Sequence, residues 1–203
     1  MEHAIESALR REVPSDRDAE QERVWIQATR KGDPAAFNRL VLKWERPIYN
    51  LVLRMLGNRE DAAETTQEVF LSAFRNIAGF KRQARFSTWL YRIAVNHCIT
   101  RLRRRPLQFQ TWEEEATSHE LQGASSPTWK RQDEEVIRIE RQRIVRRSLA
   151  RLSPVQRVVV ELKFYREETF SEISEILNLP ESTVKSRFYA ALDLLKGCLG
   201  ELE

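Results

Sequence analysis

Residues 170–189, FSEISEILNLPESTVKSRFY, constrain the fold more than any other stretch of this chain. Two helices that cross closely need a small residue at the crossing, and Ser174 is small. Four residues later the turn needs a positive φ, for which Asn178 is the best choice after glycine. Six residues further on a β-branched side chain must plug the interface, and Val184 stands there. Ile173, Leu177 and Phe188 complete a small core. This spacing predicts a helix-turn-helix. Glu181, Ser182, Thr183, Lys185, Ser186 and Arg187 then form the exposed start of its second helix, the part that such units present to the DNA major groove.

The rest of the chain has the same helical character. With only 6 Gly and 7 Pro in 203 residues, a strand-and-turn-rich architecture is disfavoured. From Val24 apolar residues recur at three-and-four spacing, and Gly32-Asp33-Pro34 marks a stop, a cap and a restart. Phe37, Leu40, Val41 and Trp44 line the next helix. Pro47 suggests a restart before Ile48, Leu51, Val52 and Met55, and Leu56-Gly57-Asn58 is a strong stop. A third helix is expected from Arg59 to Ile77 with Ala62, Ala63, Thr66, Val69, Phe70, Ala73, Phe74 and Ile77 inward. A fourth is expected from an N-cap at Ser87. Residues 106–130 mix Pro, Gly, Ser and acids and read as a linker. Helices resume at Asp133, and Leu152-Ser153-Pro154 opens another. The expected fold is all-α: two helical domains joined by a flexible linker, the second carrying the helix-turn-helix.

Charge is distributed unevenly. Residues 1–22 carry a net −4, residues 23–106 carry 17 basic and 6 acidic side chains, and residues 131–203 balance at 13 and 13. A segment so basic points to a polyanion. Cys98 and Cys198 lie far apart without CxxC spacing, so neither a disulfide nor a metal site is expected. No signal-peptide core and no membrane-length apolar run is present in the sequence, so a cytoplasmic protein without membrane insertion is expected.

The stretch RFSTWLYRIAVNHCITRLRRR (85–105) joins these threads. At 100° per residue, Phe86, Leu90, Tyr91, Ile93, Ala94, Val95, Cys98 and Leu102 fall on a core arc. Trp89, Arg92, Asn96, Thr100 and Arg103 form a row on the opposite side. Aromatic rings among arginines suit unpaired bases and their phosphates. For Trp89 by itself, packing against the Trp25/Phe37 layer is an equally good reading. Lys81, Arg82 and Arg85 upstream and Arg103-Arg104-Arg105 downstream favour nucleic acid for the row as a whole.

In order, RKGDPAAFNRLV, LGNREDAAETTQEVFLSAFRNI, GFKRQARFSTWLYRIAVNHCITRLRRR, LARLSPVQRVVVELKFY and the helix-turn-helix resemble an extracytoplasmic-function (ECF, group 4) sigma factor of the bacterial sigma-70 family. The resemblance implies residues 1–22 as an acidic extension, 23–105 as sigma region 2, 106–131 as linker and 132–203 as sigma region 4. It implies a factor that binds core RNA polymerase and directs it to promoter DNA under the control of an anti-sigma factor, with no cofactor and no enzymatic activity. On the same grounds Asp61, Glu64, Gln67, Glu68 and Leu71 would dock on the clamp helices of the largest polymerase subunit. Phe80, Lys81, Arg82, Arg85, Trp89, Arg92, Asn96 and Arg103 would capture the minus-ten strand. The recognition helix would read the minus-thirty-five element, and the domain bearing it would meet the flap of the second-largest subunit. The chain departs from the family pattern at Thr100, where many relatives carry Asp, at Asn178, where glycine is usual, and in a weakly basic last helix.

Two other classes fit part of the pattern. A stand-alone helix-turn-helix regulator would bind its operator without polymerase. A nucleic-acid enzyme would need clustered carboxylates or a positioned nucleophile, yet the acidic runs Glu113–Glu115 and Glu167-Glu168 lie in the expected linker and a loop.

Overall fold

A computed structural model describes residues 16–80, 85–104 and 148–199. Among them every regular element is helical: α1 (Asp16–Arg30), α2 (Pro34–Leu56), α3 (Arg59–Asn76) with a 3₁₀ turn at Ile77–Gly79, α4 (Phe86–Arg104), α5 (Pro154–Phe164), α6 (Phe170–Leu177) and α7 (Glu181–Leu199). Residues 148–151 are also helical. The expected linker and the helix from Asp133 lie outside the described residues, apart from that last turn.

Helix ends follow local chemistry. Asp33 caps α2 by accepting from the amides of Ala35 (2.8 Å) and Ala36 (3.3 Å), and Pro34 opens the helix where no amide partner is needed. Gly57 closes it at φ 75°, its N–H donating to the Leu53 carbonyl at 2.7 Å. Asn58 then caps α3 through the Asp61 amide, and Ser153 with Gln156 forms a capping box at α5. Thr169 and Glu172 repeat the box at α6.

Some expected boundaries move. α1 begins at Asp16 and passes through the expected limit at residue 22, because Glu22 accepts from Trp44 Nε1 (2.6 Å) and pairs with Lys43 (3.4 Å), tying that turn to α2. α2 runs unbroken through Pro47. A proline inside a helix costs about 3 kcal/mol. Leu40, Ile48, Leu51, Val52 and Met55 are completely buried on both sides of it, and each contributes about 1.5–3 kcal/mol, so one continuous face is favoured over a break. α4 starts at Phe86, one residue ahead of the expected cap at Ser87, with Phe86 already buried. On α3, Ala63 is exposed and Phe74 half-exposed, its ring edge-on to Phe37 at 4.9 Å. Thr65 is fully buried in their place, since α2 and α4 grip the helix from two sides.

α2, α3 and α4 pack on one another, with α1 laid along α2. The carboxy-terminal helices α5, α6 and α7 form a second layer of contacts around Val158, Leu162, Ile173, Val184 and Ala191. Asn178 adopts φ 52° and ψ 48°, the left-handed turn its position requires. Ile176 takes the inward place expected of Leu177, which is only partly buried, because a helix of 8 residues turns its i, i+3 pair Ile173/Ile176 to the partner helix. Asn178→Val is expected to lower the stability of this unit by about 1–2 kcal/mol in thermal denaturation, whereas Asn178→Gly stays within about 0.5 kcal/mol of the parent.

Candidate nucleic-acid interface

α4 carries the row anticipated from its sequence, and its members are placed unequally. Asn96, Thr100 and Arg103 are exposed. Trp89 is partly buried: its ring tilts against Phe80 at 5.3 Å and Phe86 at 5.6 Å. Phe80 itself is only 5% exposed and stacks edge-on with Phe86 at 5.7 Å, so its ring belongs to the core and does not offer a base a free face. An aromatic next to a basic loop reads from sequence as a base platform. Here burial of its ring area is the stronger pull. Lys81 and Arg82 lie outside the described residues.

Arg85 and Arg92 reach toward the carboxy-terminal helices. Arg85 stands 3.9 Å from the Glu172 carboxylate and is 76% exposed. An Arg92 guanidinium N–H donates to the main-chain carbonyl of Glu175 on α6. Below them lies a part-buried polar cluster. Arg54 on α2 pairs with Glu161 on α5, and the Arg54 carbonyl accepts from Arg157 at 3.0 Å. The Arg54 guanidinium also rests on the Tyr165 ring at 4.7 Å. Arg166 covers Tyr91 at 4.1 Å and pairs with the buried Glu168 at 3.3 Å. Burial is the largest influence on both Glu161 and Arg157. It pushes the Glu161 carboxyl up against the pull of Arg54, and pushes the Arg157 guanidinium down against the pull of Glu161. Burial likewise raises the Cys98 thiol to about 12, which leaves it a structural thiol.

The outer face of α3 is more ordered than its sequence suggested. Arg101 on α4 bridges the carboxylates of Asp61 (2.6 Å) and Glu64 (2.5 Å). His97 joins Ser72 through Nε2 (3.0 Å) and Glu68 through Nδ1 (3.3 Å). Ser72, His97 and Glu68 thus form the outline of a nucleophile–base–acid chain. Ser72 lies inside α3, where backbone amides are spent on helical bonds, so the helix backbone offers its hydroxyl no oxyanion donors. Gln67 is exposed, and Leu71, 54% exposed, is an apolar member of this otherwise polar face.

At the start of α7, Glu181, Ser182, Lys185 and Ser186 are exposed and Thr183 and Arg187 partly so. Glu181 and Lys185 pair at 2.6 Å, which lifts the lysine above its ordinary range through that hydrogen bond. Val184 behind them is fully buried, as the helix-turn-helix packing requires.

Family models match both halves: Sigma-70 region 2 over residues 40–106 and Sigma-70, region 4 over residues 142–195. The chain is 35% identical over 179 residues to the ECF RNA polymerase sigma factor SigW of Bacillus subtilis, covering 87% of this chain and 96% of that protein. It is 30% identical over 181 residues to the ECF RNA polymerase sigma-E factor of Escherichia coli, covering 86% and 92%. Similar solved structures include CnrH in complex with the cytosolic domain of CnrY, with a TM-score of 0.62 and 19% identity over 89% of this chain and 98% of that one. Another is the sigma factor RpoE in complex with the anti-sigma factor NepR from Bartonella quintana, with a TM-score of 0.57 and 17% identity over 81% and 96%. No described helix is long and apolar enough to cross a membrane. With region 2 and region 4 matched in order and relatives of 30% identity or more covered over nearly their whole length, the chain belongs to the ECF group of RNA polymerase sigma factors, which are transcription initiation factors.

Proposed function

We propose that this chain works in the cytoplasm by docking the face Asp61, Glu64, Gln67, Glu68 and Leu71 on the clamp of core polymerase. The α4 row of Trp89, Arg92, Asn96 and Arg103, with Arg85 and the basic loop before it, takes the unpaired non-template strand at the minus-ten element. The start of α7 reads the minus-thirty-five duplex. The observation that carries this reading is the pairing, in one chain, of an exposed recognition-helix end with a basic α4 row that holds an asparagine and a partly buried tryptophan. Duplex DNA suits the first surface and single-stranded DNA the second.

The charge distribution supports the same division of labour. The 131–203 segment is neutral overall, and phosphate neutralisation dominates DNA affinity, so the recognition helix alone holds DNA weakly. Polymerase supplies the missing hold. An anti-sigma factor is the natural counterpart, since the similar RpoE structure is a complex with one.

Run-off transcription from a genomic fragment library tests the reading. Core polymerase with this chain is expected to yield discrete transcripts that neither component gives alone. Absence of any such transcript, or tight operator binding by the chain without polymerase, would overturn it in favour of a stand-alone regulator.

A further inference from the structure

We propose that His97 and Ser72 are positioning residues for polymerase docking: they hold the Glu68 carboxylate with one oxygen aimed outward at a cationic side chain of the partner. This inference rests on the assignment of the α3 face above. Its support is a hydrogen-bonded chain across the seam between α3 and α4. The His97 ring meets Glu68 Oε2 through Nδ1 at 3.3 Å and Ser72 Oγ through Nε2 at 3.0 Å. A carboxylate only accepts, so in the neutral ring Nδ1 carries the proton and Nε2 accepts from the Ser72 hydroxyl. Both ring nitrogens are then engaged, and the ring cannot turn without breaking a bond. Glu68 Oε1 has no hydrogen bond or ion pair among the described residues, and the side chain is 46% exposed. That oxygen is the one a lysine or arginine of the partner would take, beside Gln67 and Leu71.

Stability does not account for this chain of bonds. Val69, Ala73, Ala94 and Cys98 already pack the same two helices into the core, and a contact as open as His97–Glu68 adds little to folding. Catalysis does not account for it either, since the helix backbone gives Ser72 no oxyanion donors. What the chain alters is the direction of Glu68. Several torsions separate a glutamate carboxylate from its helix, and a free one samples many orientations. The His97 ring, anchored at Ser72, selects one of them. Ser72 stands four residues after Glu68, so both ends of the bridge ride on the same face of α3. The face thus offers a fixed acceptor next to the exposed Leu71, which suits a partner whose cation and apolar side chain are spaced to match.

Binding of the full chain to immobilised core polymerase, followed by biolayer interferometry, tests the proposal. His97→Leu removes both bonds while keeping bulk, and is expected to weaken binding about three- to tenfold, the range for a side chain that must be fixed on contact. Ser72→Ala frees one end of the ring and is expected to give a smaller loss in the same direction. His97→Gln, whose amide offers a donor to Glu68 and an acceptor to Ser72, is expected to recover most of the binding. In a chain that already carries Glu68→Ala, His97→Leu is expected to add less than about twofold, because a residue acting through Glu68 has nothing left to act on. Circular dichroism melting checks each variant. Should His97→Leu fail to fold, Ser72→Ala compared with and without Glu68→Ala decides in its place. The full His97→Leu loss in the Glu68→Ala background, or His97→Gln no better than His97→Leu, would overturn the proposal and leave the ring a packing residue. Glu68→Ala and Leu71→Asp separate the two levels of inference. If both bind polymerase like the parent, the docking assignment itself falls. If they weaken binding while His97→Leu and Ser72→Ala do not, the positioning role alone falls.

Discussion

Tyr91→Ala is expected to lower the stability of the fold by about 3–5 kcal/mol, while Tyr91→Phe stays within about 1 kcal/mol of the parent or gains slightly. Tyr91 is among the largest fully buried side chains, with Trp44 edge-on at 6.1 Å and Arg166 over its ring at 4.1 Å. Truncation removes both ring contacts and leaves a cavity where α4 meets the carboxy-terminal half. The hydroxyl is different. It is buried without a hydrogen-bond partner among the described residues, and burial raises its pKa to about 12. A buried hydroxyl with no partner carries its desolvation cost uncompensated, so removing the oxygen while keeping the ring is close to neutral. Chemical denaturation of the two variants decides the matter. A loss of about 2 kcal/mol or more for Tyr91→Phe would show that the hydroxyl is bonded in solution.

Trp89→Ala is expected to slow promoter opening about 5- to 100-fold in holoenzyme, while closed-complex formation changes less than about twofold. Stacking of one base on an aromatic ring contributes about 1–3 kcal/mol, and that contribution exists only once the strand is unpaired. Trp89 is supported from behind by Phe80 and Phe86, which fix the plane of its ring while part of it stays accessible. The same support is the reason for a control: alanine also loosens that aromatic cluster. Trp89→Phe keeps a flat ring and should recover most of the opening rate. Permanganate footprinting reads opening, and electrophoretic mobility reads the closed complex. Equal losses at both steps, unrelieved by phenylalanine, would make Trp89 a packing residue alone.

Local chemistry was legible before any coordinates. The turn at Asn178, the plug at Val184, the stop at Gly57 and the cap and proline at Ser153-Pro154 each depend on a few adjacent residues, and each is where the sequence placed it. Features set by distant partners were not. Pro47 and Phe80 fail at shorter range: the flanking apolar residues keep α2 whole, and Phe86 and Trp89, a few positions on, bury Phe80, through packing that spacing alone does not announce. Arg54 and Glu161 are separated by more than a hundred positions, as are Arg54 and Arg157, so no periodicity could pair them. The polar face of α3 was visible as a row of acids. The Arg101 guanidinium and the His97 ring that restrain it stand on another helix, and only a residue count across the α3–α4 seam could have hinted at them.

Those restraints change how α3 would meet a partner. Asp61 and Glu64 share one guanidinium, so a cation approaching from solvent feels a field nearer to one negative charge than to two. Long-range steering toward this face is therefore weaker than its count of carboxylates implies, and the rate of encounter should depend only gently on ionic strength. In exchange, the two side chains are already held in one arrangement, and little rotamer freedom remains to be lost on contact. A surface prepared in this way selects by fit after arrival rather than by attraction from afar.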